Sequence, residues 1–194
     1  MIKSIAVFCG SSSGGADIYR AEAHLLGATM AAMDIELIYG GAKIGVMGAV
    51  ADGCLNAGGR VTGIIPGFLK TKEVAHDGLT RLLIVETMHE RKWQMHEMSD
   101  AVITLPGGWG TMEEIFEMLT WAQLGLHEKP IGMLNTNGYY NALLQMCDTM
   151  VSEKFLAQAT RSILMHDNCV NGIMNKIIAY KPTPGDRILT KKFV

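Results

Sequence analysis

Residues 101–114 have the sequence AVITLPGGWGTMEE, in which an apolar run gives way at once to a glycine-rich turn. The run from Ala101 to Leu105 has the length and the β-branched residues of a buried strand. The residues from Thr111 onward have helical periodicity, which predicts a helix over 111–124. A strand that passes through glycines straight into a helix exposes backbone amides beside the positive end of that helix, where a phosphate would be stabilised.

The same alternation of strand and helix extends over most of the chain. Besides 101–105, apolar runs rich in Val and Ile predict strands at 5–9, 36–39, 61–65, 81–85, 131–134 and 163–165. Segments of helical periodicity lie near 16–32, 45–57, 88–98, 138–151 and 168–179. This order predicts a single α/β domain over residues 1–180, with a doubly wound, mostly parallel sheet of about seven strands flanked by helices. The prolines and glycine of 181–186 break the pattern, so residues 181–194 are predicted to form a tail.

The composition of the chain limits the partners that it is expected to have. Among 194 residues, 17 Lys and Arg oppose 19 Asp and Glu without a long basic cluster, so neither nucleic acid nor an anionic membrane is an expected partner. The apolar runs are too short to span a bilayer, and the first residues lack the features of a signal peptide. Neither the six histidines nor the four cysteines, at 9, 54, 147 and 169, have the spacing of zinc ligands. We therefore expect a cytoplasmic protein with reduced thiols and without a metal or another cofactor.

Three glycine-containing loops follow predicted strands and are expected at one edge of the sheet, where α/β proteins bind their ligands. These loops contain Gly10 and Ser11, Gly40 and Gly41, and the 106–111 turn. The turn is neither a Walker P-loop nor a complete GxGxxG motif, because Glu113 occupies the position of the third glycine. Two interpretations stay open at this point, a phosphate-binding site and a tight turn with a purely structural role.

Charged residues near these loops also have a structural and a functional interpretation. Thr111 and Glu114 have the spacing of a capping box, in which Thr111 begins the helix and Glu114 bonds back to its amide. Alternatively, the Glu114 carboxylate lies close enough to a bound phosphosugar to act on its reacting carbon. On a helix over 88–98, Arg91 falls within the apolar stripe and Lys92 at its margin. A buried guanidinium needs an anionic partner, either a protein carboxylate or a substrate phosphate.

Two blocks of sequence together resemble a known family. Residues 88–92 match its MxxRK motif, and residues 106–114 match its PGGxGTxxE motif. On these motifs the chain is similar, over about residues 2–180, to the LONELY GUY (LOG) family of cytokinin riboside 5'-monophosphate phosphoribohydrolases. The resemblance implies a Rossmann-like fold and hydrolysis of the N-glycosidic bond of an N6-modified adenosine 5'-monophosphate, which gives the free base and ribose 5-phosphate. It also implies a homodimer with its sites near the subunit interface.

The resemblance assigns roles to particular residues. Arg91 and Glu114 take the catalytic roles, with Glu114 stabilising the positive charge that develops on the ribose and orienting the attacking water. Contacts with the nucleotide are implied at Glu73, Arg91, Lys92, Gly107, Gly108, Trp109, Gly110, Thr111, Met112, Glu113, Glu114 and Thr120. The loops after the predicted strands add Gly10, Ser11, Gly40 and Gly41 as phosphate or loop candidates.

A protein of another class is consistent with many of the same residues. A non-catalytic nucleotide or cofactor carrier of Rossmann-like fold would use the glycine turn only to hold a phosphate. A carboxylate beside an anionic ligand is unfavourable for such a carrier, which favours the enzyme. A pyridoxal-phosphate decarboxylase has little support, because no motif marks a Schiff-base lysine. The physiological purine monophosphate stays open, and Trp93 and Trp109 bear on the preference for the base.

Overall fold

The fold is built on one sheet of parallel strands. The computed structural model describes residues 1–69 and 75–182, and within these ranges the sheet contains seven strands. They are β1 (Ser4–Phe8), β2 (Glu36–Tyr39), β3 (Val61–Pro66), β4 (Arg81–Val85), β5 (Ala101–Thr104), β6 (Ile131–Leu134) and β7 (Leu164–Asp167). Their order across the sheet is β4-β3-β2-β1-β5-β6-β7, and every neighbouring pair is parallel. The predicted doubly wound α/β fold is therefore confirmed.

Helices cover both faces of this sheet. They are α1 (Ile18–Ala32), α2 (Gly45–Asn56), α3 (Met88–Glu97), α4 (Trp109–Leu124), α5 (Asn141–Ser152), α6 (Gln158–Arg161) and α7 (Val170–Ala179). None of the helices in the described ranges is both long and apolar enough to cross a membrane. Residues of α1, α2 and α7 form the apolar core on one face, and residues of α3, α4 and α5 form the core on the other. The sheet is thus the middle layer of three.

The central strand β1 explains why the helices pack on both faces. Ile5 and Val7 belong to the core beneath α1, α2 and α7, whereas Ala6 and Phe8 belong to the core beneath α3, α4 and α5. None of these four side chains is more than 1% exposed. Because successive side chains of a strand point to opposite faces, a strand covered on both faces is apolar throughout. Burial on both faces therefore explains the continuous apolar runs of the sequence.

The winding of the chain changes direction at β1, and this creates the crevice that positions the candidate site. From β1 the sheet extends through β2, β3 and β4 on one side and through β5, β6 and β7 on the other. The loops after β1 and β5 lie side by side, and the Gly10 amide donates a hydrogen bond of 3.1 Å to the Pro106 carbonyl. In open α/β sheets, ligands bind at such a switch point, beyond the carboxyl ends of the strands.

The start of α4 corrects one prediction. The helix begins at Trp109 rather than at Thr111, and its N-cap is Gly108, which provides no side-chain hydrogen bond. Thr111 already lies within the first turn, so the capping box that Thr111 and Glu114 would form is absent. Gly108 is the N-cap because its own backbone is extended, with φ −95° and ψ −151°, and the helix begins at the next residue, Trp109.

The helix predicted over 138–151 is confirmed as α5, although it begins three residues later, at Asn141. A 3-10 turn, Thr136–Gly138, precedes α5, and the φ angle of Asn137 within that turn is 53°, a left-handed value. Of the predicted tail at 181–194, residues 183–194 lie outside the described residues, and the division into a domain and a tail stays a prediction.

Candidate functional site

A cleft of about 820 Å³ opens at the switch point between β1 and β5. Ligand pockets in proteins commonly have volumes of about 300–1,000 Å³, so a nucleotide would fit. The loop after β1, the turn after β5 and the first turn of α4 supply much of its lining. The sequence-predicted residues that line it are Gly10, Ser11, Arg91, Gly107, Gly108, Trp109, Gly110, Thr111, Glu113 and Glu114. The structure therefore brings most of the predicted site together.

The first turn of α4 presents its backbone to this cleft. The first amides of any helix lack partners within the helix, and here the N-cap residue Gly108 provides no side-chain hydrogen bond to them. Among the described residues, no atom lies within 4 Å of the place that a Cβ on Gly108 or on Gly110 would occupy. Unpaired amides at the positive end of a helix dipole bind phosphate well. The start of α4 is thus a candidate anion site.

Two tyrosine hydroxyl groups hold the carbonyl groups of the turn before α4. Tyr140 donates to the Leu105 carbonyl and Tyr139 donates to the Gly107 carbonyl, each over 2.7 Å. Tyr140 is buried, whereas Tyr139 is half-exposed and lines the cleft. With these acceptors occupied by protein donors, the turn has a fixed shape before any ligand binds.

Gly107 is required where the two loops meet. A Cβ at this position would lie 2.1 Å from Thr111 Oγ1 and 2.7 Å from the Gly10 nitrogen. Atoms that are not bonded to each other do not approach so closely, and the Gly10 nitrogen belongs to the backbone and cannot move aside easily. The close approach of the two loops therefore depends on glycine at 107.

A buried ion pair lies in the lining of the cleft. Arg91 comes from α3 and Glu114 from α4, and 3.9 Å separates Arg91 Nη1 from Glu114 Oε1. Their side chains are 4% and 6% exposed, which confirms that Arg91 belongs to the buried face of its helix. Among the described residues, Nε and Nη2 of Arg91 have no hydrogen-bond partner. Buried donors without a partner are uncommon in native structures and mark candidate functional groups.

The Cys9 thiol lies beside this pair but is not a nucleophile. Burial raises its pKa well above the usual range, the negative charge of Glu114 raises it further, and Arg91 acts in the opposite direction. The thiol is therefore protonated, and a protonated thiol is inert. Arg91 and Glu114 are thus the buried charged groups among the described residues of the cleft lining.

Lys92 does not line the cleft. Its ammonium group forms a hydrogen bond with Glu113 and lies 3.0 Å from Glu117 Oε2. Burial acts to lower the pKa of Lys92, but the hydrogen bonds to Glu113 and Glu117 outweigh it, so the pKa is raised. The charged lysine thus connects α3 to α4 next to the residues Arg91 and Glu114.

Other predicted site residues lie elsewhere. Gly40 and Gly41, which follow β2, are outside the lining of the cleft. Met112 packs against the core beneath α3, α4 and α5, and Thr120 donates its hydroxyl to a carbonyl of its own helix. Glu73 lies outside the described residues. The substrate contacts implied for these residues stay predictions.

Sequence reasoning missed several side chains of the cleft. Tyr19 of α1 and Tyr139 meet edge to edge, with 5.9 Å between their ring centroids. Met47 of α2 and Met88 of α3 lie near Arg91, and Met88 Sδ is 3.9 Å from Arg91 Nη1. Tyr139 lies in the loop after β6. Because the loops that follow parallel strands lie at one edge of the sheet, its position near the cleft could have been predicted from the sequence. Met88 is the first residue of the MxxRK motif, whereas no motif marks Met47, whose position depends on the packing of helices.

The fold and the cleft together define a Rossmann-like α/β protein with a candidate ligand site at its switch point. The family described as "Possible lysine decarboxylase" matches residues 47–177. The cytokinin riboside 5'-monophosphate phosphoribohydrolase LOG1 of Arabidopsis thaliana is 41% identical over 98% of this chain and 89% of that protein. LOG3 of the same plant, which has the same descriptive name, is 42% identical over 97% of this chain and 87% of that protein. The chain belongs to this LOG family, as its motifs predicted.

A solved structure with low sequence identity has the same fold. The molybdenum cofactor carrier protein of Chlamydomonas reinhardtii superposes with a TM-score of 0.70. The alignment covers 93% of this chain and 100% of that chain, at 20% identity. At this identity the similarity establishes the Rossmann-like architecture and nothing about the ligand.

Proposed function

We propose that the protein is an enzyme, a phosphoribohydrolase that breaks the N-glycosidic bond of an N6-modified adenosine 5'-monophosphate. The products are the free base and ribose 5-phosphate. The phosphoribohydrolases LOG1 and LOG3, which match almost the whole chain, support the proposal. The observation that carries it is the buried Arg91–Glu114 pair in the cleft that also contains the uncapped start of α4. Cleavage of a nucleotide at its sugar needs both a carboxylate near the ribose and a site for the phosphate.

In the proposed mechanism, the start of α4 binds the 5'-phosphate through the amides of the first turn. Arg91, which lines the cleft, contributes its guanidinium to the sugar phosphate or to the departing base. Binding energy from the phosphate, which does not react, holds the ribose C1' near Glu114.

Glu114 acts at the bond that breaks. As the bond between C1' and the base nitrogen opens, its electron pair leaves with the base, and positive charge develops on the ribose. The carboxylate of Glu114 stabilises that charge and orients a water molecule toward C1'. The oxygen of the water bonds to C1', and a proton from the water reaches the base. Neither step requires a metal or another cofactor.

The proposal includes a homodimer. Trp93 of α3 is 42% exposed, and its ring lies 6.0 Å from that of Trp121 on α4. An exposed aromatic side chain such as that of Trp93 is typical of protein interfaces. Light scattering is expected to give the mass of two chains at working concentration, and the mass of one chain would contradict this part of the proposal.

We also propose a cytoplasmic location and a small-molecule partner rather than nucleic acid. All four cysteines are free thiols, and three of them are buried, which fits a reducing compartment. The net charge of −2 supplies no electrostatic attraction for a nucleic acid backbone.

The test of the reaction compares nucleotides with nucleosides. Purified protein would be incubated with adenosine 5'-monophosphate, with its N6-isopentenyl derivative and with the two phosphate-free nucleosides, and base and ribose 5-phosphate would be followed by chromatography. We expect both products from the monophosphates and from neither nucleoside. If the nucleotides bind without release of base, the protein is instead a carrier. Incubation with lysine is expected to yield no carbon dioxide.

A further inference from the structure

We propose that Gly40 is a positioning residue for Arg91, because the missing side chain leaves the space that the guanidinium occupies. This inference rests on the catalytic role proposed for Arg91. From the sequence, Gly40 is a candidate for a phosphate-binding loop, but in the structure it does not line the cleft. Its function is to admit the guanidinium of another residue rather than to contact a ligand.

The geometry around Gly40 leaves no room for a methyl group. A Cβ at this position would lie 1.9 Å from Arg91 Nη2 and 3.1 Å from Arg91 Cζ. Carbon atoms without a bond between them prefer separations of about 3.5–4.0 Å, so a methyl group and the guanidinium cannot occupy their positions together. The Nη2 end of Arg91 therefore packs directly against the backbone after β2.

The opposite end of the guanidinium is also held in place. Arg91 Nη1 lies 3.9 Å from Glu114 Oε1 and 3.9 Å from Met88 Sδ. The space at Gly40 and the contacts at Nη1 thus fix the plane of the guanidinium from two sides. That plane sets the directions of Nε and Nη2, the two donors without a partner among the described residues.

Replacement of Gly40 by alanine is expected to move Arg91 without disturbing the fold. Gly40, unlike Gly41 with its φ of 82°, has an ordinary backbone conformation that alanine adopts. The atoms that a Cβ at 40 would meet most closely are the end of the Arg91 side chain and Met47 Sδ, at 3.1 Å. Both belong to flexible side chains, so they can shift while the strand stays in place.

The experiment compares Gly40→Ala with Gly67→Ala. Gly67 follows β3 as Gly40 follows β2, but among the described residues the nearest atom to a Cβ on Gly67 would be 3.7 Å away, and Gly67 does not line the cleft. For Gly40→Ala we expect kcat/KM to fall about 100-fold, as a displacement of about 1 Å in an active site produces. For Gly67→Ala we expect kcat/KM within about twofold of the wild type, because no group moves. Thermal unfolding would verify that both variants are folded.

A double-mutant cycle separates positioning from a general structural effect. In the Arg91→Ala background, Gly40→Ala is expected to reduce kcat/KM by less than about threefold, since the group that it displaces is absent. The affinity for ribose 5-phosphate, measured by calorimetry, is expected to follow the same pattern. Equal losses with and without Arg91 would overturn the proposal.

A crystal structure of Gly40→Ala tests the inference without any enzymatic reaction. We expect the guanidinium of Arg91 to lie more than about 1 Å from its wild-type position, as the overlap requires. A guanidinium that has not moved would overturn the inference, even if the wild type is an active hydrolase. Failure of the wild type to release base from any nucleotide would instead refute the proposed function.

Discussion

Arg91 and Glu114 belong to different helices and meet because α3 and α4 pack on the same face of the sheet. Both side chains are almost completely buried, so solvent hardly screens their attraction. Lys92, the next residue along α3, pairs with Glu113 and Glu117 of α4 instead. Two adjacent cations thus have different partners, and of the two, Arg91 alone lines the cleft.

A single hydroxyl group is expected to influence the anion site. In Tyr139→Phe, the ring is kept but the hydrogen bond of 2.7 Å to the Gly107 carbonyl is lost. A hydrogen bond of this kind contributes about 0.5–1.5 kcal/mol, so we expect KM for the nucleotide to rise about fivefold. The expected change in kcat is less than about twofold, because the hydroxyl does not touch the reacting bond.

Steady-state kinetics of Tyr139→Phe and of the matched variant Tyr140→Phe would check this prediction. The Tyr140 hydroxyl donates to the carbonyl of Leu105, the residue between β5 and the glycine-rich turn. The ring of Tyr140 is buried. Loss of that hydroxyl leaves a buried carbonyl without a donor, so the free energy of unfolding is expected to fall by about 1–3 kcal/mol. An unchanged KM in Tyr139→Phe would show that the turn does not need this donor.

At the scale of secondary-structure elements, the start of α4 is the proposed phosphate site. The N-cap Gly108 has no side chain, and no atom of the described residues lies within 4 Å of the place that a Cβ would occupy there. In Gly108→Asp, the new carboxylate would accept hydrogen bonds from the first amides of the helix and repel a phosphate. We expect KM to rise more than about tenfold while the melting temperature stays equal or increases, because Asp is a good N-cap residue.

Gly108→Asn is the matched control for this prediction. Its amide side chain also caps the helix but has no charge, so the rise in KM is expected to be smaller than for Gly108→Asp. Melting curves and steady-state kinetics of the two variants would be compared. If both variants bind the nucleotide as tightly as the wild type, the phosphate does not bind at the start of α4.

Elements that depend on local patterns were predictable, whereas those that depend on packing were not. The five inner strands, β1, β2, β3, β5 and β6, follow from short apolar runs, because a strand buried on both faces needs such a run wherever it lies. The edge strands β4 and β7 were also found from apolar residues, although both are partly exposed. The start of α4 could not be placed correctly, since Thr111 is a good N-cap by type and only the three-dimensional turn selects Gly108. Arg91 was found from helical periodicity, but its contact with Gly40 joins residues far apart in the sequence. Tyr139 and Met47 likewise reach the cleft through tertiary packing alone.

At the scale of the whole molecule, two buried histidines predict how stability depends on pH. The rings of His96 and His127 pack with 4.8 Å between their centroids and are 6% and 8% exposed. Burial lowers the pKa of His96 to about 3 and that of His127 to about 4, with a further contribution from the charge of Lys129. Unfolded histidine titrates near 6.5, so below that pH the unfolded chain binds protons that the folded chain does not.

The free energy of unfolding is therefore expected to decrease as the pH falls from about 7 toward 4. Between pH 7.5 and 5, each of the two histidines is expected to account for about 1–2 kcal/mol of the loss. Urea denaturation at the two pH values measures this difference. His96→Phe should make it smaller, since phenylalanine keeps the ring contact with Trp121 but cannot be protonated. The exposed His24 offers a control, and His24→Gln is expected to leave the pH dependence unchanged.

The most direct test of the account is the turnover of Glu114→Gln. The proposed carboxylate both stabilises charge and orients water, so its loss should lower kcat for release of base about 10²–10⁴-fold while the nucleotide still binds. Glu117→Gln, on the same helix but outside the lining of the cleft, is the matched control and should stay within about threefold of the wild type. Wild-type turnover in a folded Glu114→Gln variant would contradict the proposed mechanism.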